Sequence, residues 1–244
     1  MTTEERVEAL ERELAELKAG LSVASEIRAN RFIVADENGE VRAALAMTKD
    51  GSGLSLQDEN GKIRAVVVVT KDGSGLGLQD ENGKASVWLH AYKDGPMLRL
   101  WDENGKVRSE LNLEKDGPML RLSDEEGKPR AGLGMFEKGP VLSLWDENGE
   151  VRATVAVTED GPYLTLTDEN GEVRATLDVD EEGSGLRLMN ENGEVRAGLG
   201  VIEEGPGLVL MDETGQIRAR LRVIKDRSGL RLMDENGKVI WQAP

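Results

Sequence analysis

The chain has no cysteine, one histidine, two phenylalanines and two tyrosines among its 244 residues. Without cysteine there can be no disulfides, thiolate metal sites or cysteine nucleophiles, and the redox compartment leaves no mark on the sequence. Aromatics at 3% cannot dominate a core, and 38% apolar content is low for a self-sufficient globule. The core is therefore expected to be thin or shared between chains. Basic residues are also in deficit, 31 against 47 acidic, for a formal charge of −16. That balance offers no footprint to nucleic acid or an anionic membrane. No run of 18 apolar residues occurs, and Met1-Thr2-Thr3-Glu4-Glu5-Arg6 lacks the charged-then-apolar pattern of a signal peptide. The expectation is a protein made soluble in the cytoplasm. Association with a virion or cell surface would then need lysis or a dedicated release machine.

Catalysis needs a positioned nucleophile, an acid–base pair or a metal. One histidine and carboxylates gathered at turns supply none of these, so no enzyme, catalytic residue or cofactor is expected.

What is abundant is glycine, at 29 residues, and repetition. A loop sequence recurs at Asp36, Asp58, Asp80, Asp102, Asp124, Asp146, Asp168, Asn190, Asp212 and Asp234, always 22 residues apart. Most copies read Asp-Glu-Asn-Gly; Glu126 and Thr214 replace the Asn, and Asn190 the Asp. One repeat holds a short alternating run (Leu54, Leu56), then Asn60-Gly61, a longer run (Ile63, Ala65, Val67, Val69) and Asp72-Gly73. Asn-Gly and Asp-Gly suit two-residue type I′ hairpin loops. Closing the first loop on Asn60-Gly61 sets Leu56 opposite Ala65 and Leu54 opposite Val67. Closing the second on Asp72-Gly73 sets Val69 opposite Leu76 and Val67 opposite Leu78. Both closures keep the apolar residues on one face, which predicts one continuous antiparallel meander. Pro96, Pro118, Pro140, Pro162 and Pro206 fall at the start of a strand, where a missing N–H is tolerable; Pro129, inside a repeat, has no such place.

Twenty strands about 4.8 Å apart make an array about 95 Å long, apolar along one side. Packing against copies of itself, closing into a barrel, or winding as a hairpin solenoid would each hide that side. The N-terminus favours the oligomer. Val7, Leu10, Leu14, Leu17 and Leu21 are spaced 3, 4, 3 and 4 apart, the a and d seam of a coiled coil. The expected divisions are a coiled-coil oligomerisation helix at 1–28, a hairpin shaft at 29–239 and a cap or tail at 240–244. The expected fold is mainly β, ten 22-residue hairpins forming a β-prism, with a homotrimer favoured.

This arrangement, a short coiled coil followed by Leu-x-Leu-x-Asp-Glu-Asn-Gly-Lys-Val-Arg-Ala hairpins, resembles the trimeric β-prism shafts of phage tail fibres and bacterial surface stalks. It is also similar to hairpin repeats of uncharacterised bacterial proteins. The resemblance is one of architecture and implies an elongated structural protein. Hairpin-repeat cell-wall-binding modules share the period, but their aromatic ligand boxes are missing here.

On the other face the repeats differ. Extending the pairing through Asp94-Gly95 sets Trp88 opposite Trp101, His90 opposite Arg99 and Tyr92 opposite Met97. The expected cluster of Trp88, His90, Tyr92, Arg99 and Trp101 could hold a glycan or a protein side chain, since rigid rings supply contact area at low entropy cost. Ordinary cross-strand pairing explains the same residues. An Arg recurs on this face at 42, 64, 108, 130, 152, 174, 196 and 218, expected to solubilise and to stack near Gln57, Trp101 and Trp145. The acidic loops also invite calcium, but neither EF-hand spacing nor a nonapeptide β-roll period occurs, so no metal site is expected.

Overall fold

A computed structural model describes residues 2–22, 28–225 and 228–244. It contains one helix, α1 (Thr3–Ser22), followed by strands numbered from β1 (Arg31–Ala35) to β20 (Val239–Ala243). A reciprocal cap starts α1: the Thr2 hydroxyl accepts from the Glu5 amide at 3.3 Å, while the Glu5 carboxylate accepts from the Thr2 amide at 2.6 Å. Each strand pairs antiparallel with the next, giving one meandering 20-stranded sheet. The sheet does not close on itself, since no described ladder joins β20 to β1. Residues 240–243, expected as a cap or tail, stand in β20 and pair with the preceding strand, Trp241 opposite Leu232.

The first loop of each repeat is built by its Asp, or by Asn190 in the eighth. In the hairpin of β3 (Gly51–Gln57) and β4 (Ile63–Thr70), Gly61 N donates to the Asp58 carbonyl at 3.0 Å and Asp58 N to the Lys62 carbonyl at 2.9 Å. Asp58 Oδ1 accepts from the amides of Asn60, at 2.9 Å, and Lys62, at 3.0 Å. One short carboxylate thus satisfies two loop donors that no strand can reach. Only the glycine takes positive φ, 76° at Gly61. The loop is therefore longer than a type I′ turn, and a register shift between Leu56 and Gln57 absorbs the difference. Leu56 still faces Ala65, and Leu54 still faces Val67, as the alternation predicts.

The second loop differs from expectation. It is closed by Lys71-Asp72, with Gly73 already in β5 (Gly73–Gln79) and paired with Thr70. No non-glycine residue has positive φ among the described residues, so Asp72 does not enter the conformation a type I′ turn demands. The register moves by two: Val67 faces Leu76 and Ala65 faces Leu78. A shift of two leaves every side chain on its predicted face, so the aliphatic rows survive the correction.

The prolines fall at the second residue of their strands, as in β7 (Gly95–Trp101), where Pro96 faces Ala91. Toward the following strand, the ladder of β7 with β8 (Val107–Glu114) begins only at Met97. Where serine occupies this position the ladder continues two pairs further, through Ser74 and Gly73. The missing N–H shortens the pairing. Pro129 is the first residue of β10 (Pro129–Phe136), beside a register shift, where a ladder bond is already absent.

The chain exposes 17920 Å², against about 11,000 Å² for a compact protein of this mass. A single sheet with two open faces accounts for the excess.

Candidate functional site

The two faces are chemically distinct. One carries the aliphatic rows, and they are exposed: Leu54 at 39%, Leu133 at 48% and Leu199 at 51% are typical. The other carries the variable residues and holds the buried side chains, Ala44, Glu110, Asn112 and Ala156. Longer neighbours there lie over smaller ones, so the face expected to look outward is the better covered in the single chain.

On that face β6 (Ala85–Tyr92) aligns three rings. Trp88 and His90 have centroids 5.1 Å apart, and His90 stacks on Tyr92 at 4.4 Å. Trp88 lies flat over Gly75 and Gly77 of β5; a Cβ at Gly77 would meet its ring at 2.1 Å. Its indole N–H is buried without a partner. Desolvation, then the nearby Arg99 charge, lowers the His90 pKa below its ordinary value. The expected cluster assembles only in part. Trp88 faces Arg99, His90 faces Met97 and Tyr92 faces Gly95. Trp101 faces Val107 beyond a register shift and joins no ring contact among the described residues. Arg99 pairs with Glu110, which Arg121 also approaches at 3.7 Å.

The recurring Arg does more than the sequence suggested: in six repeats it staples its loop to the next, while Arg130 and Arg174 pair with their own loop Asp and the repeat of Asp80 carries Ser86 instead. Arg152 Nε donates to Asp146 Oδ2 at 2.7 Å, Nη1 to the Asp168 carbonyl and Nη2 to the Glu169 carbonyl at 3.2 Å. Arg42, Arg64, Arg108 and Arg218 likewise join their own loop Asp to a carbonyl in or beside the following loop. Where Asn190 replaces Asp, Arg196 turns to Glu194 at 2.5 Å and keeps its bonds to the next loop. The loop carboxylates are thus occupied by backbone amides, joined at most repeats by guanidinium.

These bonds hold Asp36, Asp58, Asp80, Asp102, Asp124, Asp146 and Asp212 below the usual carboxylate range. At Asp58 partial desolvation opposes the shift, and the Lys62 and Asn60 amides and Arg64 outweigh it. Asp212 is lowest, at about 2, chiefly because the Thr214 hydroxyl donates to it at 2.7 Å, with Arg218 and backbone amides adding against desolvation.

Glycines also shape a groove of about 450 Å³ on the variable face, floored by Gly185, Gly198 and Gly200 and edged by Arg187, Arg220 and Arg222. Arg187 is paired with Asp178.

In α1 the seam residues Val7, Leu10 and Leu14 are exposed at 49%, 59% and 52%. The side chains of Leu17 and Leu21 lie outside the described residues. Among the described residues α1 packs against no strand, and no helix is long and apolar enough to cross a membrane.

No protein family and no curated protein matches the chain. Solved structures show weak likeness. S. aureus TarM in complex with fondaparinux, alpha-GlcNAc-glycerol and UDP is 10% identical over 57% of this chain and 31% of that one, at a TM-score of 0.27. TcdB2-TccC3 is 11% identical over 86% of this chain and 15% of its own, at 0.21. A putative 6-phosphogluconolactonase from Bacteroides uniformis is 12% identical over 86% and 87%, at 0.17. This chain therefore spans under a third of the first two, and at such scores the likeness carries no conclusion about it.

Proposed function

We propose that the chain is a structural protein, an elongated homo-oligomeric fibre segment or spacer in which copies cover one another's aliphatic face. The observation that carries this reading is the exposure of the Leu, Val and Met rows along the whole sheet. The face measures roughly 95 by 20 Å, about 2,000 Å², more than twice the roughly 800 Å² per partner of an ordinary stable interface. Apolar surface of that extent does not stay in water. Length grows in proportion to the number of repeats, and the Arg staples tie most repeats to the next, so the array resists bending. The exposed α1 seam is a second self-association element. A three-sheet prism, as expected from the sequence, and a two-sheet sandwich would both cover the aliphatic face.

Light scattering coupled to size exclusion, on the full chain and on a form starting at Ala29, tests the proposal. An elongated particle of two or more chains is expected. A compact monomer would overturn it.

A second reading, recognition of a glycan or protein, is favoured by the stacked Trp88, His90 and Tyr92 rings. Titration followed by tryptophan fluorescence tests it, with loss of the signal in a Trp88→Ala, Trp101→Ala double variant.

A further inference from the structure

The charges along the two loop edges divide the sheet into opposite halves. At the residue after the first-loop glycine stand Glu40, then Lys62, Lys84, Lys106 and Lys128, then Glu150, Glu172 and Glu194, then Gln216 and Lys238. All ten are exposed. At the first position of the second loop the order is Lys49, Lys71, Lys93 and Lys115, then Glu137, Glu159, Glu181 and Glu203, then Lys225. These too are exposed. The adjoining loop Glu, at 37, 59, 81 and so on, is present in all ten repeats and therefore favours no arrangement over another.

Two identical sheets can meet through their aliphatic faces about two different twofold axes. An axis along the stacking direction sets each repeat against itself, first-loop edge over second-loop edge, so Lys62 approaches Lys71 and Glu172 approaches Glu181. A parallel three-sheet prism brings the same like-charged edges together. An axis along the strands instead reverses the repeat order and sets first-loop edge over first-loop edge. Glu40 then faces Lys238 of the second copy, Lys62 faces Gln216, and Lys84, Lys106 and Lys128 face Glu194, Glu172 and Glu150. On the other edge Lys71, Lys93 and Lys115 face Glu203, Glu181 and Glu159.

Lys49 with Lys225, and Glu137 with Glu137 of the second copy, are the like pairs among these positions. On the axis lies Glu137-Lys138, whose order differs from every other second loop, so that Glu137 of one copy can meet Lys138 of the other. Lys62, Lys84 and Lys128 each donate one bond to a neighbouring loop carbonyl, at 2.9 to 3.0 Å, which keeps their charges at the edge. Opposite charges across an interface fix its register and suppress alternatives.

We propose that the partner on the aliphatic face is one second copy of this chain, antiparallel, related by a twofold axis along the strands at Glu137-Lys138. The proposal rests on the self-association reading above. It places the two α1 helices at opposite ends of the pair, where their exposed seams join one pair to the next.

Because the chain lacks cysteine, single-cysteine variants carry one spin label each. Dipolar distances between copies are read for Lys138→Cys and Lys71→Cys, with the mass of each variant measured in parallel. The antiparallel pair requires a short distance at 138, about 10–25 Å, and about 60 Å at 71, six repeats of two strands apart. Equal distances at the two positions would overturn the antiparallel pair while leaving self-association intact. A monomeric mass with no dipolar signal at either position would overturn both.

Discussion

Replacing Gly139 by alanine should cost far more than replacing Gly149, although both have positive φ. Gly139 has φ of 125° and opens β11 (Gly139–Trp145); Gly149, with φ of 87°, sits at a first-loop tip. A Cβ at 139 would stand 2.0 Å from the Val157 carbonyl oxygen of β12 (Val151–Thr158), whereas one at 149 meets nothing within 4 Å. Carbon and carbonyl oxygen rest about 3.3–3.6 Å apart, so β11 must retreat by more than an ångström from a strand it is bonded to. The conformational cost alone is about 1–2 kcal/mol at Gly149, near the left-handed region, and about 1–3 kcal/mol at Gly139, whose φ lies beyond it. At 139 the lost ladder bonds add to it, for about 3–4 kcal/mol in all.

Asparagine distinguishes the loop position from the strand position. It tolerates the left-handed region, so Gly149→Asn should be nearly neutral and Gly139→Asn as damaging as alanine. Urea unfolding followed by Trp145 fluorescence at one protein concentration reads the global effect. Hydrogen exchange at Leu142 and Val155 reads the local one. Equal losses for the two alanine variants would refute the argument that the next strand's carbonyl, rather than φ alone, requires glycine here.

The remaining expectations concern the loops and the rings. Thr214→Asn restores the common loop residue and removes the hydroxyl donor, so the Asp212 pKa should climb from about 2 toward the other loop aspartates; carboxyl NMR titration reads it, and an unchanged value would refute the Thr214 contribution. A depressed folded-state pKa stabilises above the unfolded carboxylate value, and that contribution disappears as pH falls through the folded value. Acid unfolding should therefore begin only below about pH 4, with the Asp212 loop the last to lose its contribution. Asn190→Asp gives Arg196 the loop carboxylate that its counterparts use and should add about 0.5 kcal/mol, visible as a small rise in the urea midpoint; a fall would show that the Glu194 pairing is the better one. The imidazole of His90 should titrate below its ordinary value of about 6.5, and Arg99→Gln should raise it by removing the nearby positive charge. A His90 pKa unmoved in that variant would assign the whole shift to desolvation.

Much of the fold was legible because it depends on short-range rules. The 22-residue period, the alternation of Leu54 with Leu56, and the pairing of Leu56 with Ala65 follow from side-chain periodicity and one loop sequence. At the second loop the expectation and the sheet differ by two residues, since Asp-Gly suits a type I′ turn in isolation and only the built sheet shows Gly73 paired with Thr70. An even error preserves the face, so the aliphatic rows were right while the partners of Trp88, His90 and Tyr92 were not. The Arg staples were illegible for a different reason. Arg152 reaches 16 residues onward to the Asp168 carbonyl, and no local spacing announces a contact that exists only once strands stack. The residues by themselves determined which face is aliphatic and where the chain turns, because alternation and turn chemistry act within a few residues. Only the tertiary structure decided that the sheet stays open, that the variable face covers its own small side chains, and that six of the loops are held by the arginine before them, because these depend on how successive hairpins lie against one another.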